Sequence, residues 1–349
     1  MPDIPSLPST ERLLALIDAM AGQPVAMLVD LVADRFVTGT PKRISREAPV
    51  LILSYQGEIL SPGGGANAVA NVAALGGRPL PLGVVGDDAN GRELVAALAK
   101  LGVDTSGILS RPGYRTPTKV RILGGGRHSI KQQIVRYDIE DTLILTAPER
   151  RRFGDLLAGF RGRARTAILS DYGYGAAEPA LLPLMREALG DACTLVGDSR
   201  YRLGEFAGLD GATPNEEEAE ALLGGSFDDD PRRLAEGGRG LLDRLCARFL
   251  LITRGSRGMS LFQPEGAAHL PVHGTDQVAD VTGAGDTVIG AFALALAAGG
   301  SPLEAALLAN YAGGVVVMKM GTATLSPAEL QQAVRRDPHL LAEVSWAPS

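Results

Sequence analysis

The segment Asp280-Val281-Thr282-Gly283-Ala284-Gly285-Asp286-Thr287 runs directly into an apolar stretch with helical character. Gly283 and Gly285 let the backbone approach a ligand closely. A helix starting here directs its unpaired N–H groups and positive dipole end at the same spot, which makes an anion site. Asp286 falls in the first helical turn, beside that site. A carboxylate there can take the proton of a hydroxyl nucleophile. The neighbouring N–H groups of Gly283, Ala284 and Gly285 then stabilise charge on a phosphoryl group in transit. The competing reading is a plain glycine-rich turn, with Asp286 an ordinary acidic residue at a helix start.

Other residues carry weaker signals. Asp30 and Asp34 follow an apolar strand, Val25 to Val29. Ligands of α/β sheets gather at the carboxyl ends of strands, so both acids are candidates to bind sugar hydroxyls; two solvated loop acids are the alternative. Asn67 opens a small-residue helix after Gly63, Gly64 and Gly65. Its amide can both give and accept hydrogen bonds. Arg136 and Asp138 close an extended segment, and Lys42, Arg43 and Arg46 crowd an earlier one. An Arg fork suits phosphate, so cations here would face an acceptor's own phosphate. A charged edge strand kept soluble is the bland alternative. His128, His269, His273 and His339 form no pair with metal spacing and read as surface or turn residues.

The elements that must position these residues alternate along the chain. A helix spans 10–20 and closes at Gly22; a strand covers 25–29. Between Phe36 and Leu60 the pattern breaks into short extended pieces around Gly39, Pro41 and Pro49. Helices follow at 66–75 and 93–101, with a strand at 81–85 between them. Strands at 118–123 and 132–137 flank the turn Gly124-Gly125-Gly126. Strands at 167–170, 194–197 and 249–253 then alternate with helices at 179–189, 216–223 and 233–245. Two helices cover 286–298 and 303–319, and Ser326-Pro327-Ala328-Glu329 caps a third. Such alternation predicts a three-layer, doubly wound, mainly parallel α/β fold. The whole chain, 1–349, reads as one domain, with a small β lid from about 36–60 and 115–137.

Bulk properties narrow the class. The net charge of −6 gives no support to a nucleic-acid surface. The two cysteines, Cys193 and Cys246, are far apart and fit a reduced compartment. No apolar run approaches the roughly 20 residues of a membrane span. The first ten residues lack a basic start and an apolar core, so no signal peptide is read there and a cytoplasmic location is expected. A dinucleotide oxidoreductase is excluded, because no Gly-x-Gly-x-x-Gly follows the first strand.

The segment at 280–287 resembles the second signature of the ribokinase-like (PfkB) carbohydrate kinases. Gly63-Gly64-Gly65-Ala66-Asn67, through to Gly86-Asp87, resembles the first, about 200 residues earlier. Within that family, four segments resemble the heptose-7-phosphate kinases of lipopolysaccharide inner-core synthesis. They are Lys42 to Val50, Arg136-Tyr137-Asp138-Ile139-Glu140, Ser170-Asp171-Tyr172-Gly173 and Thr213-Pro214-Asn215-Glu216. The similarity covers roughly 25–325.

The resemblance implies transfer of phosphate from ATP, with Mg²⁺, to a sugar or sugar-phosphate hydroxyl, with heptose 7-phosphate favoured over an unphosphorylated sugar or nucleoside. It makes Asp286 the base and Gly283, Ala284 and Gly285 the anion hole. It places Asp30, Asp34, Gly63, Gly64, Asn67, Arg136, Asp138 and Asp171 on the substrate side. Asn215 and Glu218 match an Asn-x-x-Glu pattern that organises magnesium-bound phosphates, with Glu218 acting through water. Thr253, Gly255 and Gly258, with Arg254 between them, resemble the nucleotide-side turn. A monovalent cation near Asp280 and Gly321 is a feature of the broader family.

This chain departs from those kinases at three places. Val29 stands where they have Gly, Tyr174 where they have Lys, and Asp198-Ser199-Arg200 where they have Asp-Pro-Lys. A non-catalytic sugar- or nucleotide-binding regulator of the same fold is the second class of reading. Many such relatives carry a C-terminal nucleotidyltransferase domain. The chain of 349 residues is expected to lack it and to leave nucleotide activation to another protein. A lid sheet offers edges for pairing between protomers, so a homodimer is the expected partner state.

Overall fold

The computed structural model describes residues 7–126, 131–274 and 279–348. The chain opens with α1 (Thr10–Ala19), β1 (Pro24–Val29), β2 (Leu31–Ile44), β3 (Leu51–Gly64) and α2 (Gly65–Ala74). Next come β4 (Arg78–Gly86), α3 (Ala89–Lys100), β5 (Ile108–Arg111), β6 (Thr118–Gly124) and β7 (Gln132–Ile139). The middle holds α4 (Ala147–Ala158), β8 (Thr166–Asp171), α5 (Leu182–Leu189), β9 (Thr194–Ser199) and β10 (Gly211–Ala212). Then follow α6 (Glu216–Leu223), α7 (Pro231–Arg244), β11 (Phe249–Thr253), β12 (Met259–Gln263) and β13 (Gly266–Leu270). The end is α8 (Ala284–Ala297), α9 (Pro302–Val316), α10 (Pro327–Arg336), α11 (Leu340–Glu343) and β14 (Ser345–Pro348).

The large sheet runs β14-β13-β12-β11-β10-β9-β8-β1-β4-β5. The chain starts in its middle, winds outward through β4 and β5, then returns to wind the other way from β8. That is double winding. The pairs from β5 across to β11 are parallel; the β12, β13 and β14 edge is antiparallel. Alternate residues of β1 face opposite cores, as a strand requires. Val25, Met27 and Val29 join a core with α1, α2, α8, α9 and α10. Ala26 and Leu28 join the other, with α4, α5 and α7. Helices therefore cover both faces, and the fold is the expected three-layer α/β one.

The second, smaller sheet, β3-β2-β6-β7, lies where the lid is expected. Its strands are longer than the sequence suggested. β2 and β3 are continuous 14-residue partners instead of short pieces, and the sheet begins at Leu31 instead of 36. Gly39 and Pro41 do not break β2 because the register shifts there, between Thr38 and Gly39 and between Pro41 and Arg43. Pairing of β2 with β6 ends at Gly39, so Pro41 has a ladder neighbour on one side alone, Leu53 of β3. The helix read over 179–189 starts as a 3₁₀ turn at Pro179–Leu181. The strand β5 and helix α4 were not anticipated. α4 starts on a capping box, Thr146 with Glu149, that carried a legible signal.

Candidate active site

Gly283 adopts φ 78°, the left-handed conformation that favours glycine, and caps α8. The first helical bond there is Thr287 N–H to Gly283 O, 3.1 Å. The N–H groups of Gly285 and Asp286 precede any helical acceptor and remain available to a ligand, whereas the Ala284 N–H, expected in the anion hole, is bonded to Val281 O at 3.2 Å. A Cβ on Gly283 would lie 2.4 Å from Asn67 Nδ2, and one on Gly285 would meet nothing within 4 Å. The turn is thus tight on the Asn67 side and open on the other.

Asp286 sits in the first turn of a helix buried almost all round, and it is 3% exposed. Its carboxylate is held at both oxygens. Asn67 Nδ2 donates to Oδ2 at 3.0 Å, and the Tyr172 hydroxyl donates to Oδ1 at 2.7 Å. Burial pushes its pKa up to about 7, against those two hydrogen bonds and the Lys119 charge, with Asp34 adding to the rise. Asn67 is fixed in turn: Asn71 Nδ2 donates to Asn67 Oδ1 at 3.2 Å, and Thr287 Oγ1 donates to Asn71 Oδ1 at 3.0 Å. A group poised near neutral pH in a buried helix start can exchange a proton with a hydroxyl.

Asp34 lies beside this centre, inside β2 and not after β1. It is buried and paired with Arg121. Gly63 must lack a Cβ because one would lie 2.4 Å from Asp34 Oδ2. Gly64, at φ 50°, leaves room for Val32 and the Tyr172 ring. Lys119 lies opposite Asp34 in register, and its Nζ stands 5.1 Å from the Tyr172 ring centroid. Burial lowers its pKa, the Arg136 and Arg200 charges lower it further, and Asp34 and Asp286 oppose them. Lys119 and Tyr172 were not singled out from the sequence. The alternation of Lys119 and Arg121 on β6, which puts two cations on one face, was the available signal.

Several of the expected binding residues have partners within the protein. Asp30 is buried, but both its oxygens are taken by backbone N–H groups. Tyr172 and Tyr174 donate to Oδ2 at 2.9 Å each, and Ala176 and Ala177 to Oδ1 at 2.8 and 3.2 Å. Burial raises its pKa and those N–H groups oppose the rise. Asp30 thus anchors the loop after β8. Asp171 is likewise occupied: Arg202 grips it at 2.7 and 2.9 Å, Ser199 Oγ at 2.6 Å and Gly173 N at 3.0 Å. Lys42, Arg43 and Arg46 are exposed. Lys42 lies eight residues beyond Asp34 on β2, about 26 Å of extended chain away. Arg136 and Asp138 pair with each other at 2.8 Å on an exposed strand. Arg136 still faces Arg121 across the ladder, near the centre.

On the far side of the Gly283–Gly285 turn lies a cavity of about 490 Å³. Thr253, Gly255, Gly258, Ala284 and Gly285 line it, with the apolar side chains of Met259, Val288 and Val317. Arg254 is turned away to Glu216 on α6, 3.6 Å. Asn215 caps α6 in a mutual pair with Glu218: Glu218 Oε2 accepts from Asn215 N at 2.9 Å, and Asn215 Oδ1 from Glu218 N at 2.8 Å. Burial raises the pKa of Glu218, and Asn215 and Arg200 oppose it. The half-buried Asp198 is raised by burial and by the charges of Glu218, Asp286 and Asp171. Among the described residues no group of three or more His, Cys, Asp and Glu side chains is set to hold a metal ion. Two mutually repelling carboxylates do fit a hydrated Mg²⁺, which keeps most of its ligands as water. Asp280 accepts from Thr282 N at 2.9 Å and Gly321 N at 3.0 Å, which joins the two loops named for a monovalent cation.

His128 lies outside the described residues. His269 is a half-buried strand residue, bonded to Ser260 Oγ at 2.9 Å, instead of a turn residue. His273 bonds Asp337 at 2.9 Å. Among the described residues, no helix is long and apolar enough to cross a membrane.

Comparison with known proteins shows the family and the fold. The profile of the pfkB family carbohydrate kinases matches residues 33–138 and 203–329. The Bifunctional protein HldE of Mesorhizobium japonicum is 41% identical over 340 residues, 94% of this chain and 65% of that one. The HldE of Pelobacter propionicus is 37% identical over 87% of this chain and 62% of its own length. The chain spans less than two thirds of the length of these two curated relatives. Among solved structures, phosphofructokinase-2 from Escherichia coli, in complex with substrates and products, superposes with a TM-score of 0.72 at 18% identity. Arabidopsis thaliana ribokinase, with ribose and ATP, gives 0.69 at 21%. Each comparison covers 90% of this chain and 99% of the other, and each shows the shared ribokinase-like fold.

Proposed function

The chain belongs to the pfkB family of carbohydrate kinases, and we propose that it phosphorylates a sugar-phosphate hydroxyl with ATP, heptose 7-phosphate at the anomeric position being the favoured acceptor. The observation that carries this reading is Asp286: a buried carboxylate with a pKa of about 7, in the first turn of α8 beside two unpaired N–H groups. The acceptor oxygen attacks the terminal phosphorus while its proton passes to Asp286. The new O–P bond forms as the bond to the ADP oxygen breaks. The Gly285 and Asp286 N–H groups and the α8 dipole stabilise the negative charge on the transferred group. The purine and ribose of ATP occupy the 490 Å³ cavity, behind Ala284 and Gly285. Mg²⁺, when bound near Asp198 and Glu218 through water, neutralises phosphate charge.

On the acceptor side, Asn67, Asp34, Gly63 and Gly64 shape the floor. Lys119, with Arg121 and Arg136, supplies the positive charge suited to an acceptor that carries its own phosphate. The heptose choice rests on the motif resemblance at 42–50, 136–140, 170–173 and 213–216. A second copy of the chain is the proposed partner, docked on the lid. Tyr55, Ile134 and Val135 stand 64%, 43% and 48% exposed there, around an apolar hollow of about 330 Å³. The proposed setting is the cytoplasm, where ATP is supplied.

Coupled-assay ATP turnover tests the reading. D-glycero-D-manno-heptose 7-phosphate is run beside fructose 6-phosphate, ribose and adenosine. Turnover with the heptose phosphate is expected. Turnover with another acceptor alone removes the heptose assignment. ATP binding with no turnover on any acceptor favours a non-catalytic regulator.

A further inference from the structure

We propose that Tyr172 is a positioning residue for the proposed base: its phenol fixes one oxygen of Asp286 and so aims the remaining lone pairs of the carboxylate at the acceptor hydroxyl. The inference rests on the kinase reading of the site. Two donors from different elements hold Asp286, Asn67 Nδ2 from α2 at 3.0 Å and the Tyr172 hydroxyl from the loop after β8 at 2.7 Å. One contact leaves the carboxylate free to swing; two on separate oxygens fix its plane.

The loop that carries Tyr172 is built for this. Tyr172 N–H donates to Asp30 Oδ2, and Asp30 takes three further N–H groups from the same loop. Gly64 leaves the ring its space, since a Cβ there would lie 3.3 Å from Tyr172 Cδ2. The Lys119 ammonium sits over the ring, 5.1 Å from its centroid. Burial, with the Asp286 and Asp198 charges, raises the phenol pKa well above its ordinary value. Tyr172 therefore stays protonated, and remains a donor, across the working pH range.

The charged groups around the pair are Lys119 from β6, Asp34 from β2 with Arg121 paired to it, Arg136 from β7, Asp198 from β9 and Arg200 just after it. Tyr172→Phe keeps the ring and deletes the donor that favours the charged carboxylate. The acid limb of kcat/KM should then move up by about one pH unit, with kcat about 10-fold lower. KM for ATP should stay unchanged.

A second variant reverses the sign. 3-Fluorotyrosine placed at position 172 has nearly the same shape and a more acidic phenol, so it donates more strongly. The limb should move down. The ¹³C carboxyl titration of Asp286 reads the same shifts without any turnover. If no acceptor is phosphorylated, the kinase reading falls and the titration still decides the role of Tyr172. Opposite shifts in the two variants support the proposal. An unmoved limb, or an unmoved titration, in both variants overturns it, whatever happens to kcat.

Discussion

Replacing Asp286 with Asn should weaken catalysis and strengthen the fold at the same time. Loss of a general base lowers turnover by about 10²–10⁴-fold. The stability effect comes from the buried charge. Asp286 has an ordinary pKa of 3.8 and a folded value of about 7, because burial disfavours its ionised form. A folded pKa above the unfolded one stabilises the fold at low pH. That contribution is complete below about pH 4 and is lost as pH rises to about 7. About three pKa units at about 1.36 kcal/mol each amount to roughly 4 kcal/mol. Asn carries no charge to bury. Its carbonyl can accept from Asn67, and its amide then faces Tyr172, which strands the phenol hydrogen at about 1–3 kcal/mol. The net expectation is a gain of about 1–3 kcal/mol above pH 7, turning into a loss of about 1–3 kcal/mol below pH 4, where only the stranded phenol hydrogen counts. Urea unfolding of both proteins from pH 4 to pH 8, beside coupled ATP turnover at pH 8, measures it. A variant no more stable than wild type at pH 8, with the same m value, would refute the electrostatic argument. A variant with wild-type turnover would refute the base.

Three other substitutions probe separate parts. Gly283→Ala should lose turnover and about 1–2 kcal/mol of stability, because the left-handed φ strains it and its Cβ displaces Asn67; retained turnover would mean that the turn tolerates the shift. Arg202→Met leaves the buried Asp171 charge unpaired and should cost about 3–5 kcal/mol in urea unfolding; a neutral result would mean that water reaches Asp171. Tyr55→Glu combined with Ile134→Glu should convert a dimer to a monomer by sedimentation equilibrium, with the secondary structure unchanged; an unaltered mass would place the interface elsewhere.

The proposed base was legible because its signal is local. Glycine, small residue, glycine, acid and then an apolar helix is a continuous run, and the physics of a helix start acts within that run. The alternation of strands and helices was legible for the same reason. Gly39 and Pro41 misled, since both punctuate a strand in isolation and only the register shifts in β2 and the end of the β6 ladder show that they are absorbed. Asp30 and Asp171 show a different limit of the sequence. A carboxylate at a strand end can meet a ligand or its own neighbouring loop, and the choice depends on where 172–177 and Arg202 fold.

The amino-acid sequence by itself determined the α/β class, the two-sided helical layers and the place of the glycine turn that opens α8. Each follows from periodicity or from a short run of residue types. The tertiary structure alone decided which groups surround Asp286. Asn67, Asp34, Lys119 and Tyr172 lie on four elements, between 114 and 252 residues away in the chain. Their meeting fixes the burial, the two hydrogen bonds and the opposing charges that bring the carboxylate to about 7. A proton affinity of that kind is a property of the assembled surroundings, and no local pattern encodes it.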